Sequence, residues 1–252
     1  MNGYHPHVSL VLPCYNEEEV LRNTVTRLVH AFRDHKIEPE LILVDNGSRD
    51  ATGSIIDDLA AEGLPVRKQT VAVNRGYGNG ILHGLPLCRA KWIGFVCADG
   101  QVDAADVVRV YEIAANLRRP KLVKVRRRFR MDGWKRKIVS IIYNLLANFV
   151  FGGLNSIDIN GNPKILPREY LERMNLSSSD WFLDAEVMIK AKRLGLGIME
   201  VNVMAQMREG GASNVRGSTC KEFLVNLFNY RFGGGSPVIA GGSAAPEKAH
   251  VV

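Results

Sequence analysis

Two residues in this chain have the types and the spacing to hold a hard metal ion. Asp99 and Gln101 lie two apart in Ala98-Asp99-Gly100-Gln101, directly after the apolar run 93–97. A carboxylate and an amide oxygen so placed can share one divalent cation, and such a cation can carry a diphosphate. The run itself does not alternate apolar with polar residues, so it reads as a buried parallel strand. Open α/β folds bind ligands where strands leave the sheet, and Asp99 and Gln101 fall at that place. The plainer alternative is an acidic turn, because Asp-Gly pairs are frequent turn formers.

The elements before this stretch follow a strand–loop–helix rhythm. Residues 8–12 (VSLVL) read as a strand that ends at Pro13 and a loop, Cys14-Tyr15-Asn16. A helix is expected over 17–32, capped by Asn16, with Glu17 to Glu19 at its positive end. Residues 40–44 (ELILV) form the second strand, Asp45 to Asp50 a polar turn, and 52–59 the next helix. This is the βαβ pattern of a parallel sheet. A weaker strand at 66–73 leads to Asn74-Arg75-Gly76-Tyr77-Gly78-Asn79-Gly80, whose alternate glycines allow a close approach of the backbone to an anionic group near Arg75. The run is G-x-G-x-G and comes late, which disfavours a nicotinamide cofactor. A helix over 81–90 completes this unit.

The second half is less regular. After an amphipathic helix at 103–116 comes the densest basic stretch, 121–137, which includes Arg126, Arg127 and Arg128 and is interleaved with Phe129, Met131 and Trp134. It reads either as a solvated face or as a groove for an anionic, partly apolar ligand. No RNA-binding signature accompanies it, so nucleic acid is not the expected partner. Residues 138–151 form the most apolar helix, too short for the ~20 residues of a membrane span. It is expected either to be buried or to lie on a membrane surface. Further on, a brief strand is expected at 164–166, helices at 168–174 and 180–193, and a strand at 198–204. One of Asp184 and Glu186, two apart, would point at a site while the other caps or faces water. A basic Gly-rich loop at 207–216 and a helix at 219–232 follow. The Gly/Ala/Ser/Pro tail, 233–252, is expected to be flexible.

The totals agree with an enzyme acting on anions. The chain has 252 residues, a formal charge of +7 and 46% hydrophobic residues, with mean hydropathy −0.06. A basic balance suits a phosphorylated ligand or a membrane surface. The four cysteines form no close pair, which argues against a zinc ribbon or a redox motif. The opening residues do not read as a signal peptide. A reduced, cytoplasmic setting is expected, peripheral on the membrane face if the apolar helix lies there.

The segments PCYNEEE, LVDNGSRDAT, NRGYGNG, CADGQ, DINGNPK and REGGASN, in that order, resemble family-2 glycosyltransferases of the polyprenyl-phosphate sugar synthase type. The resemblance covers roughly residues 8–216. It implies an α/β GT-A fold, a mostly parallel central sheet with helices on both faces. One catalytic domain would span 1–232, with a nucleotide-binding half at 8–120 and an acceptor half at 121–232. It also implies inverting transfer from a GDP- or UDP-sugar to a polyprenyl or dolichyl phosphate. The same chemistry on a soluble metabolite, or a non-catalytic nucleotide-sugar binder, are the alternatives.

The resemblance further implies roles for residues. Pro13, Tyr15, Glu17, Asp45, Asn46, Arg75 and Gly76 would bind the nucleotide. Asp99 and Gln101 would hold Mg²⁺ or Mn²⁺, and with Asp158 and Arg208 they form the expected catalytic set. Arg126, Arg127, Arg128, Arg208, Ser213 and Asn214 would meet donor or acceptor phosphate. Three departures are plain. The family usually has Asp where this chain has Cys97, and a thiol suits Mg²⁺ poorly. Either Asp99, Gln101 and the diphosphate hold the ion, or metal binding is weak. Asn214 stands where a Lys is common, with Arg216 near enough in sequence to replace its charge. The C-terminal membrane helices of many relatives have no counterpart in this sequence.

Overall fold

The computed structural model describes residues 5–128, 144–204, 227, 230 and 231. The strands are β1 (Val8–Cys14), β2 (Pro39–Asn46), β3 (Val66–Val71), β4 (Trp92–Phe95), β5 (Lys121–Arg128), β6 (Lys164–Pro167) and β7 (Gly197–Met204). The helices are α1 (Leu21–Asp34), α2 (Thr52–Ala61), α3 (Tyr77–Gly84), α4 (Ala104–Asn116), α5 (Arg168–Met174) and α6 (Leu183–Arg193). Residues 144–150 are helical as well.

The strands form one sheet in the order β3-β2-β1-β4-β6-β5-β7. β1 runs parallel to β2 and β4, β2 to β3, and β5 to β7. β6 alone is reversed, antiparallel to both β4 and β5. The carboxyl ends of the other strands therefore share one rim with the start of β6.

Alternation along each strand sends side chains to opposite faces. Leu10, Leu12, Leu41 and Leu43 meet α1, α2 and α4 through Val25, Phe32, Ile56 and Val108. Val11, Ile42, Val44 and Phe95 meet α3, α5 and α6 through Ile81, Leu171 and Val187. Both faces are covered, which explains why β1 and β2 are apolar without alternation. Ordered packing of this kind, not intrinsic propensity, holds the short helices.

Several expected elements are corrected by the structure. α1 begins at Leu21 and has no side-chain cap. Asn16 does not cap it, because its Oδ1 accepts from the Arg49 N–H at 2.9 Å and ties the β1 loop to the β2 loop. α3 begins at Tyr77 and ends at Gly84, with a 3₁₀ turn at Leu85–Leu87, instead of running over 81–90. The basic stretch is not irregular over its first part: 121–128 is strand β5. It does not alternate as a half-exposed strand would: Leu122, Val123, Lys124 and Val125 are all buried. In the helical stretch 144–150 Ala147 is buried, while Leu145 and Phe149 are 65% and 85% exposed, so that part of the apolar helix is not a core helix. The remainder, 138–143, lies outside the described residues, as do Phe129, Met131 and Trp134.

Candidate functional site

The loops after β1 and β2 are stitched together across the rim. The Glu17 N–H donates to Thr52 Oγ1 at 2.9 Å, and the Glu18 N–H to Asp50 Oδ2 at 3.2 Å. Pro13 and Asp45 lie at the ends of neighbouring strands, with Pro13 opposite Val44 and Cys14 opposite Asp45. Asp45 Oδ1 accepts from the Ser48 N–H at 3.0 Å. Its other oxygen lies over Gly53 in the first turn of α2, where a Cβ would come within 2.8 Å of it. Half-buried Tyr15 and Glu17 complete this end.

Asn46 carries the contact to the next loop. Its Nδ2 donates to Gly76 O at 2.9 Å and to Asn74 Oδ1 at 3.2 Å. Its buried Oδ1 has no partner among the described residues. Gly76 has φ +112°, and a Cβ there would lie 2.7 Å from Ser179 O. A Cβ at Gly78 would meet Ser178 O at 2.3 Å, and the Asn79 N–H donates to Ser179 O at 2.7 Å. The backbone approach for which these glycines were expected is thus made in part by residues 178–180. Arg75 is left exposed on the rim.

The metal candidates lie past β4. The Val96 N–H donates to Val11 O at 3.0 Å, so the chain stays beside β1 after the strand ends. The Gln101 N–H donates to Asp99 Oδ1 at 3.2 Å, and Gly100 has φ +68°. That is the tight acidic turn, with both side chains half-buried. Among the described residues no group of three or more His, Cys, Asp or Glu could hold a metal ion. Asp99 and Gln101 are hard oxygen donors that form an incomplete set, which diphosphate oxygens would complete. Burial, then the charges of Asp99 and Asp184, push the Cys97 thiol well up.

Register places β5 and β6 at the same spot. Phe95 faces Lys164, and Lys164 faces Lys124. Asp158 binds Arg127 as a fork, Nε to Oδ2 and Nη2 to Oδ1, both at 2.9 Å. The Arg127 N–H adds a bond to Oδ2 at 3.1 Å. Burial pushes Asp158 up, but the bonds and charge of Arg127 and the charge of Lys124 outweigh it and hold the carboxyl well below the usual range. Such a carboxylate accepts a proton poorly, so its visible work is to fix Arg127.

Lys124, fully buried, donates to Asp158 O, to Val125 O at 2.9 Å and to Glu200 Oε1 at 3.3 Å. Burial and the charge of Lys164 bring it down to about 8 despite Asp158 and Glu200.

Residues that sequence reasoning left without a role complete the site. Asn162 Nδ2 donates to Tyr77 Oη at 2.9 Å and to Asp184 Oδ2 at 3.3 Å. Lys164 Nζ donates to Asp184 Oδ1 at 2.5 Å. Trp181 stacks on Tyr77, with centroids 4.6 Å apart and planes 6° from parallel. The one available signal was a lysine within a short apolar strand, KIL. Of the division expected for Asp184 and Glu186 only the exposure is corrected, since both are buried, while Asp184 faces Lys164 and Asn162. Glu186 accepts from the Ser177 and Ser178 N–H groups at 3.1 and 2.8 Å and pairs with Lys190 at 2.6 Å. Arg126, Arg127 and Arg128 all lie on β5, whereas Arg208, Ser213 and Asn214 lie outside the described residues.

Comparison with known proteins gives the following. The undecaprenyl-phosphate 4-deoxy-4-formamido-L-arabinose transferase of Pseudomonas fluorescens (strain SBW25) is 39% identical over 119 residues, 46% of this chain and 34% of that protein. This chain therefore spans about a third of that relative's length. The polyprenol monophosphomannose synthase of Mycolicibacterium smegmatis is 26% identical over 229 residues, 86% of this chain and 84% of that protein.

Among solved structures, glucosyl-3-phosphoglycerate synthase from Mycobacterium tuberculosis, with Mn²⁺, UDP and glucosyl-3-phosphoglycerate, matches with TM-score 0.70 and 21% identity over 90% of this chain and 80% of that one. The same protein with Mn²⁺, UDP-glucose and phosphoglyceric acid matches equally, at 20% identity, TM-score 0.70 and the same coverage. The sheet with helices on both faces is the GT-A fold of these structures.

The expected transfer to polyprenyl or dolichyl phosphate is corrected by this comparison. The fold that covers 90% of the chain carries, in that synthase, a small water-soluble phosphorylated acceptor. The Glycosyl transferase family 2 profile matches residues 9–174, and the chain belongs to that family.

Proposed function

We propose that the protein moves a sugar from a nucleoside diphosphate sugar to a small, water-soluble acceptor that carries its own negative charge. The observation that supports this most is the single rim shared by three groups: the loops after β1, β2 and β3, the Asp99–Gln101 turn, and the basic end of β5. Asp45 would take a ring N–H of the base. Pro13, Tyr15, Glu17, Asn46, Arg75 and Gly76 would surround the nucleoside. Asp99 and Gln101 would hold Mg²⁺ or Mn²⁺ on the diphosphate. When bound, the ion neutralises the charge that grows on the leaving diphosphate.

The reaction would break the bond between the anomeric carbon and the diphosphate oxygen. It would form one from the acceptor oxygen on the opposite face, with inversion. Asp158 and Asp184 are spent on Arg127 and Lys164, so neither serves as base. An acceptor that attacks through an oxygen already ionised, or deprotonated by its own anionic group, fits this site. Arg126 and Arg128, with Arg208, Ser213 and Asn214 of the sequence segment 207–216, would hold that group.

The test is a panel of UDP- and GDP-sugars against phosphoglyceric acid, other small phosphorylated or carboxylated acceptors, and a short polyprenyl phosphate. Release of nucleoside diphosphate that depends on a water-soluble acid is the expected result. Turnover on polyprenyl phosphate alone, or none with any donor, overturns the reading. A second arm with anionic vesicles tests a peripheral membrane contact through the exposed Leu145 and Phe149. Retention at low salt and loss at high salt is the outcome expected of that contact.

A further inference from the structure

We propose that Glu186 is a positioning residue for nucleotide binding: through the segment 177–180 it sets the shape of the loop after β3, and through that loop the amide of Asn46. The proposal rests on the nucleoside diphosphate sugar reading above, in which Asn46, Arg75 and Gly76 surround the nucleoside.

Glu186 lies on α6 and is 0% exposed. A buried carboxylate is costly unless its oxygens are paired, and this one takes its partners from a single stretch of backbone. Oε1 and Oε2 accept from the Ser177 N–H at 3.1 and 3.2 Å, and Oε2 accepts from the Ser178 N–H at 2.8 Å. Ser177 Oγ adds a bond to Oε1 at 3.2 Å. Lys190, one turn along the helix, lies 2.6 Å from Oε1 and offsets the charge. Bonds from N–H groups to an ionised acceptor are stronger than neutral ones. The backbone at 177–178 is thereby pinned to α6.

The carbonyl side of the same segment meets α3. The Asn79 N–H donates to Ser179 O at 2.7 Å. A Cβ at Gly76 would lie 2.7 Å from Ser179 O, and one at Gly78 would lie 2.3 Å from Ser178 O and 2.7 Å from Asp180 O. The contact is backbone on backbone. No rotamer can absorb a shift in it, so close packing passes a displacement of 177–180 on to 76–79. The stack of Trp181 on Tyr77 extends the same seam.

The loop after β3 carries the constraint to β2. Asn46 Nδ2 spends its two hydrogens on Gly76 O and Asn74 Oδ1, at 2.9 and 3.2 Å. The Gly76 N–H donates to Asn74 Oδ1 as well, at 2.8 Å. What Asn46 has left is its buried Oδ1, which has no partner among the described residues. The placement of that oxygen follows from where Gly76 O is held. Glu186 thus acts on Asn46 through two intervening backbone segments, and a loop fixed before its ligand arrives loses less freedom on binding.

The test is calorimetric titration of the full chain with UDP and with GDP in Mn²⁺. For the nucleotide that binds more tightly, Glu186→Gln should raise Kd at least about fivefold. The amide keeps one acceptor oxygen but sets an NH₂ group against the Ser177 and Ser178 N–H groups. Amide exchange at Asn79 should quicken in the same variant. Leu28→Ala, which opens a cavity under α1, controls for a general loss of stability. It should lower the thermal midpoint and leave Kd within about twofold, as a distant, independent site does. A parental Kd in Glu186→Gln, or an equal rise in Leu28→Ala, overturns the inference and leaves the functional reading intact. No binding of either nucleotide by the parent overturns both. Should Glu186→Gln fail to fold, Gly78→Ala carries the test from the other side of the contact: an unchanged Kd in that variant refutes the proposal.

Discussion

Lys164 Nζ sits 2.5 Å from Asp184 Oδ1, and the two side chains are 0% and 2% exposed. The pair joins β6 to α6. Asn162 bonds to both partners, at 3.3 Å each. Removing one member of a closed pair strands the other charge. Lys164→Met should therefore lower stability by about 3–5 kcal/mol in urea unfolding, and Lys164→Met/Asp184→Leu should recover most of that. A single variant as stable as the parent would show that the pair is not needed.

Asp45 presents one oxygen to Ser48 and leaves the other at the rim. Asp45→Ala should weaken binding of nucleoside diphosphate by about 10- to 100-fold, the worth of a hydrogen bond to a charged group. The thermal midpoint should move little, since only one turn bond is lost. Equal affinity in the variant, measured for both UDP and GDP, would remove Asp45 from the site.

Acid should loosen the protein through Asp158 and Glu186. Both carboxyls are held below their ordinary values, Asp158 by Arg127 and Glu186 by Lys190 and Ser178, against burial that pushes the other way. A group whose folded value is depressed contributes stability above its unfolded value, about 4. That contribution is lost as pH falls through the folded value. Stability measured by urea at pH 7, 5, 4 and 3 should fall steeply at the acid end, and Asp158→Asn should flatten the curve. An equal slope in the variant would assign the acid loss elsewhere.

Gly78 has no room for a side chain, with Ser178 O at 2.3 Å and Asp180 O at 2.7 Å from the position of a Cβ. The neighbours are backbone and cannot rotate away. Gly78→Ala should cost about 1–3 kcal/mol, as overpacking does, and should loosen the contact between α3 and residues 178–180. Accelerated amide exchange at Asn79, whose N–H donates to Ser179 O, is the specific readout. Unchanged exchange there would show that the loop shifts freely.

The first strands were largely legible because parallel strands buried on both faces leave apolar runs, as in VSLVLPC and PELILVDN. Polar residues that cluster where such runs stop are then visible as rim candidates, which is how Asp45 and Asp99 stood out. Other features could not be read that way. Lys124 and Lys164 look like surface residues until the sheet order brings Glu200 and Asp184 to them. The glycines at 76 and 78 signal a close backbone approach but not the partner, which lies about a hundred residues further on. Asp158 reads as a free acid in sequence. Only the pairing of β5 with β6 delivers Arg127 to it.

The reversal of β6 has a consequence for how such a chain can change. The chain leaves β5 and returns into β6 on the same rim, where the Val125 N–H meets Pro163 O at 3.1 Å. The connection between these two interior neighbours therefore starts and ends at one rim. The entropy of closing such a connection rises only slowly with its length. The described part of that connection is not freely exchangeable, because Ala147, Leu154 and Ile159 belong to the core and Asp158 holds Arg127. The reversed strand thus works as a tether: any change in the length of this connection has to keep three core side chains and one ion pair in place.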